Sequence, residues 1–124
     1  MMKARLAAER GNATVTALGA IAITSAILTV LVALGVVHQG RSLAASAAEL
    51  SALSAADALA GNGSPGKACA IALEVAERHG SLLKSCEASG FEARVAVVVR
   101  VHLPLLGTQS LIESARAGPA PAEP

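Results

Sequence analysis

Hydrophobic and polar residues follow three regimes along this chain. From residue 13 to residue 37 there is no Asp, Glu, Lys or Arg, and Leu, Ile and Val recur on every side. As a helix, about 25 residues extend roughly 37 Å, enough to cross a hydrocarbon core of about 30 Å with some tilt. A soluble helix this apolar would need partners all round, and the rest of the chain is too polar and Ala-rich to provide them. Residues 13–37 are therefore predicted to form a transmembrane helix. In the second regime, residues 39–60, Ala, Leu, Ser and Glu favour helix everywhere except at Gly40. Leu43, Ala47, Leu50 and Leu53 share one face and Ser42, Ser46 and Glu49 another, which makes this half weakly amphipathic. The pattern predicts one long helix, loosened at Gly40, that ends at the turn-forming run Gly61-Asn62-Gly63-Ser64-Pro65-Gly66.

The third regime opens with a short helix that starts at residue 65 and runs through residue 67 to residue 79. Ser64 is placed to cap it, Pro65 to occupy its first position and Gly80 to stop it, with Ala68, Ile71, Ala72 and Val75 as its buried face. The period then changes to two. Phe91, Ala93, Val95, Val97, Val99, Val101 and Leu103 point one way, and Glu92, Arg94, Ala96, Val98, Arg100 and His102 the other, up to Pro104. Residues 82–87 are predicted to pair with this strand through a turn at Ala88-Ser89-Gly90, and residues 110–117 to add a third strand. The Pro- and Ala-rich tail, residues 118–124, is expected to be disordered. The fold class expected is α+β: a long N-terminal transmembrane helix continuing into an Ala-rich helix, then a short helix and a small antiparallel β-meander.

Composition sharpens this division. The 124 residues leave room for one modest domain, and the chain is 53% hydrophobic with no Trp, no Tyr and one Phe. A soluble core of this size draws much of its buried area from aromatics, so the apolar content here belongs largely to a bilayer. A net charge of +1, with no basic stripe and no stacking aromatics, excludes a nucleic-acid partner by this reasoning. Ala22, Ala26, Thr29 and Ala33 recur at spacings of four, three and four along the span, a row on which a partner helix can approach closely in lipid. The same row also follows from the general abundance of Ala and Thr.

Direction follows from the flanks. Lys3, Arg5 and Arg10 precede the span against Glu9 alone, with Arg41 after it, which puts the N-terminus in the cytoplasm. A cleaved signal peptide would have a shorter apolar region, of about 7–15 residues. The chain thus divides into a basic cytoplasmic leader (1–12), the span (13–37), an extracytoplasmic region (38–117) and the tail (118–124). Cys69 and Cys86 are too few for a zinc site by themselves. With this region read as exported, they are expected to form one disulfide that staples the short helix to the first strand; the alternative, in a cytosolic segment, is two buried thiols.

Candidate catalytic chemistry is sparse. His38, His79 and His102 are scattered over the membrane edge, a helix end and a strand face, without the spacing of a metal pair. Ser64 lacks the leading Gly and preceding strand of a nucleophile elbow, and Glu74 and Glu77 lie beside Arg78 as a solvated face. No catalytic residue, cofactor or metal is expected, and the chain is not expected to be an enzyme.

Four stretches carry a resemblance. They are Arg10-Gly11-Asn12-Ala13-Thr14-Val15 at the entry to the span, Ala47-Ala48-Glu49-Leu50-Ser51-Ala52-Leu53-Ser54-Ala55-Ala56 beyond it, the pair Cys69 and Cys86, and Ala115-Arg116-Ala117-Gly118. In order and spacing they resemble the TadE/TadG-like proteins of Flp (tight-adherence) pilus systems, especially the short actinobacterial pseudopilin-like form. The resemblance implies a minor pilin-like membrane component of a pilus or related secretion apparatus. It also implies contact with other pilin-like subunits or inner-membrane assembly proteins, and a candidate prepilin-peptidase cut between Gly11 and Asn12. The chain departs from the common pilin pattern at the fifth position counted from Asn12: Thr16 stands where many pilins carry Glu. The alternative is a membrane-anchored extracytoplasmic binding or accessory module unrelated to a filament.

Overall fold

The computed structural model describes residues 2–119, with side chains from residue 11 onward. The expected basic side chains Lys3, Arg5 and Arg10 and the tail beyond Pro119 lie outside the described residues. The chain has two compact units, residues 1–35 and 36–124. Helix α1, Met2–Ala60, makes up the first and opens the second; helix α2, Pro65–Arg78, and strands β1 (Leu82–Ser89), β2 (Glu92–Leu103) and β3 (Gly107–Ala117) follow. The fold is α+β, with one helix that is long and apolar enough to cross a membrane. α1 begins upstream of the apolar run, so the leader and the span are not separated by a change of local structure.

In the second unit the core is a seam between small side chains and β-branched ones. Gly40, Ala44, Ala47, Ala48, Ser51, Ala52, Ala55, Ala56 and Leu59 are buried along α1, recurring at the three- and four-residue steps that put side chains on one helical face. The opposing bulk comes from β2, where Ala93, Val95, Val97, Val99, Val101 and Leu103 are buried. The predicted inward face of β2 is therefore correct except at Phe91, which precedes the strand and is exposed.

The predicted apolar face of α1 is not the one that packs. Of Leu43, Ala47, Leu50 and Leu53 only Ala47 is buried, and Leu53 keeps 61% of its surface exposed. The reason is distance: a row of Gly, Ala and Ser lets the helix backbone come close to the sheet, where leucines would hold it away. Gly40 shows how close. A Cβ built there would lie 2.5 Å from Val101 Cγ1 and 2.8 Å from Leu111 Cδ1. The helix runs through Gly40 unbroken, so this glycine serves close packing and does not loosen the junction.

Both helices end in backbone hydrogen bonds, and α2 begins at a side-chain cap. Asn62 takes φ 65°, and the Asn62 and Gly63 amides donate to the Leu59 and Ala58 carbonyls at 3.2 and 2.8 Å, the paired bonds of a Schellman motif. α2 starts as predicted, with Pro65 in its first turn and the Ser64 hydroxyl accepting from the Lys67 amide at 3.2 Å. Gly80, at φ 72°, ends it. Its buried residues are Ala68, Ala72 and Ala76, while Ile71 and Val75 are half-buried.

The sheet has the order β1-β2-β3, all antiparallel. β1 and β2 join at Ser89↔Glu92 through Gly90-Phe91, a two-residue loop with φ 61° at Gly90; this is one residue tighter and later than the predicted turn. The β1–β2 register shifts between Leu83 and Ser85, a bulge at Lys84 on an edge strand. β3 starts three residues earlier than predicted and pairs with β2 along its whole length.

Two substitutions test the seam in the full chain in detergent micelles. Gly40→Ala must displace a stiff valine, and we expect it to lower head stability by about 1–2 kcal/mol, overpacking outweighing the gain in helix propensity. Ser51 is fully buried and its hydroxyl has no hydrogen-bond partner. Ser51→Ala removes that desolvated group and should leave stability unchanged or raise it by up to about 1 kcal/mol. Thermal unfolding followed by circular dichroism reads both.

Candidate functional site

The apolar stretch of α1 is long and apolar enough to cross a membrane, and its large side chains have no partner among the described residues of the chain. Leu18, Ile21, Ile23, Ile27, Leu28, Val30, Leu31, Val32 and Leu34 are all exposed. Three of its hydroxyls are satisfied inside the helix: those of Thr16, Thr24 and Thr29 donate to the carbonyls of Asn12, Ala20 and Ser25 at 2.7, 2.7 and 2.8 Å. Such bonds remove the cost of an unpaired hydroxyl in hydrocarbon. Ala22, Ala26, Thr29 and Ala33 lie along one stripe of this helix, the first two exposed and the others half-buried. Ala26 also lines a shallow apolar groove with Ile27, Val30 and Leu31. The Gly11–Asn12 bond is within α1, both residues are exposed, and a Cβ at Gly11 would meet nothing within 4 Å.

Cys69 of α2 and Cys86 of β1 are joined in a disulfide, with a Cα–Cα distance of 5.8 Å and a sequence separation of 17. The expected cross-link is formed, and the alternative of two buried thiols is not. It fixes α2 to the edge strand that the Lys84 bulge weakens.

The sheet face away from the valine seam is the other candidate surface. Register places Leu82, Val98 and Ile112 in one row across the three strands, and Leu82 and Ile112 are exposed. On the same face, four residues along β2 from Val98, Arg94 and Arg116 stand directly opposite each other, an unfavourable pairing of like charges. Glu92 lies between them: Arg94 Nε donates to it at 3.0 Å, and Arg116 approaches both its carboxylate oxygens at 2.7 Å. The Arg94 hydrogen bond, opposed by some desolvation and reinforced by Arg116, holds the Glu92 carboxyl below its usual range.

The residues weighed for catalysis do not converge. Ser64 caps α2, His79 Nδ1 lies 2.8 Å from the Val75 carbonyl, and Arg78 pairs with Glu74 at 2.6 Å. His38 and His102 are exposed. Among the described residues no group of three His, Cys, Asp or Glu side chains is placed to hold a metal ion. Sequence reasoning missed the Leu82–Val98–Ile112 row because it depends on register, which the bulge at Lys84 changes by one residue. Comparison with family models, with curated proteins and with solved structures finds no match for the chain.

Removing the cross-link as Cys69→Ala/Cys86→Ala is expected to lower stability by about 3 kcal/mol, the loop-closure value for a ring of this length. Denaturant unfolding of the full chain checks it; a loss within 0.5 kcal/mol of zero, on the scale of an ordinary surface change, would show that packing alone fixes α2.

Proposed function

We propose that this chain is a minor pilin-like (pseudopilin) component of a Flp/Tad-type pilus or a related secretion apparatus, with a structural and assembly role. In this reading residues 13–37 anchor it as a single span, the N-terminus is cytoplasmic, and the disulfide-bonded head is outside. The observation that carries it is α1 itself. One helix runs from the apolar segment into an Ala stripe buried against an antiparallel sheet, an arrangement that suits a stem passing from membrane to filament. The stripe of Ala22, Ala26, Thr29 and Ala33 is where a neighbouring pilin-like stem or an inner-membrane assembly protein would pack. Thr16 in place of the common Glu favours an atypical or minor subunit over the main one.

A second reading has its own support. The row Leu82–Val98–Ile112, with the Arg94–Glu92–Arg116 cluster farther along the same sheet face, suits a membrane-anchored module that binds an extracytoplasmic partner without any filament.

Deletion of the gene in its native cell separates the two. The pilin reading expects loss of surface filaments, restored by the wild-type chain but not by Leu28→Arg/Leu31→Arg, since each Arg in mid-span costs about 2.5–3.5 kcal/mol of insertion energy. Unchanged filaments in a strain whose wild-type head is protease-accessible from outside would reject the pilin reading for the binding module. N-terminal sequencing of membrane-derived protein tests processing: a start at Asn12 is expected, and a start at Met1 or Met2 overturns the cut.

A further inference from the structure

The β2–β3 loop presents an unusual tip. Between Leu103 and Gly107, which pair across the hairpin, stand Pro104, Leu105 and Leu106. Leu105 is 95% exposed and Leu106 66%. Leu105 also holds φ 68°, a left-handed conformation that costs a bulky L-residue roughly 1–2 kcal/mol. A water-facing turn would be served better by Asn, Asp or Gly at this position. Strain and exposure together point to a use for the leucines.

Its place in the second unit says what that use is. Val101 meets Gly40 of α1, while the opposite end of β2, at Phe91, lines a groove with Leu53, Ala56 and Ala60. β2 therefore runs back along α1 toward the point where the apolar run ends. Two further strand residues carry Leu103 about 7 Å past Val101, and four helical residues carry Val36 about 6 Å past Gly40. The loop tip is thus level with or beyond Val36 and Val37, the last residues of the apolar segment. Residues 103–107 carry no charge, and Pro104 has no amide proton to desolvate. The residues that flank this end, 36–48 and 99–112, include Arg41 and Arg100 and no Asp or Glu, a balance that suits anionic headgroups.

We infer that the β2–β3 loop is a membrane-docking tip, with Leu105 and Leu106 inserted into the interface of the same bilayer that the anchoring helix spans. The inference rests on that anchoring. The two leucines seat the head on the membrane surface, as the apolar faces of interfacial segments do at the headgroup–acyl boundary.

The chain contains no Trp and no Tyr, so a single introduced Trp reports without background. Leu106→Trp, Val30→Trp and Phe91→Trp are compared in the full chain, reconstituted in phosphatidylcholine–phosphatidylglycerol vesicles with bromine either high or midway on the acyl chains. Docking expects blue-shifted emission at position 106 quenched by the high bromines, quenching at position 30 by the midway bromines, and neither at position 91. Adding Leu105→Asp to Leu106→Trp should abolish the shallow quenching while the far-ultraviolet circular dichroism of the head is retained; quenching that persists would overturn a role for the leucines. If position 106 behaves like position 91 while position 30 is quenched, the anchor stands and the docking fails. A blue shift at position 106 without bromine quenching would mean that a second copy covers the loop, which also overturns it. If position 30 escapes quenching, the anchoring reading falls first and the docking with it.

Discussion

Everything beyond the apolar segment depends on how near α1 can come to β2. A helix faced with leucines rides high on a sheet and leaves space that other side chains must fill. A helix faced with Gly, Ala and Ser lies close, and β-branched residues on the sheet fill the remaining volume. That division suits a chain without Trp or Tyr. Its head has little aromatic area to bury, so packing comes from many short contacts at small separation. Gly40 marks a point of close approach, and the unpartnered hydroxyl of Ser51 is a cost borne inside the same seam.

Much of this was legible in the sequence, for identifiable reasons. The apolar run, the end of α1 at Ala60, the Ser64–Pro65 start of α2 and the inward row of β2 each depend on local chemistry or simple periodicity. So does the three-strand meander, whose turns are marked by glycines. What was not legible depends on contacts between elements. The leucines at positions 43, 50 and 53 look like the buried face when α1 is read alone. Only the valines of β2, more than forty residues on, decide that the alanines pack. Gly40 similarly reads as a break until Val101 is seen against it.

The candidate surfaces divide the same way. The apolar segment and the two cysteines were visible as composition, and the pairing of Cys69 with Cys86, expected from their places in a helix and a strand, is present. The row Leu82–Val98–Ile112 was hidden, because the bulge at Lys84 shifts the register on which it depends. The loop leucines were overlooked for another reason: Pro104 was read as the end of a strand, and what followed it as a connection. A bulky residue with a left-handed backbone, as at Leu105, is a property of the folded chain and has no signature in the sequence.

The disulfide has a mechanical side. Its ring, residues 69–86, takes in the larger part of α2 and of β1 and leaves α1 outside. The stem is held to the head by the chain at residues 61–64 and by van der Waals contact along the seam. Because α1 and β2 lie alongside each other, a pull along the stem acts as shear, loading the short Ala–Val contacts together instead of peeling them apart in turn. Contacts that are individually weak can in that geometry bear tension as a set, while the covalent ring keeps the far side of the head intact if the seam slips.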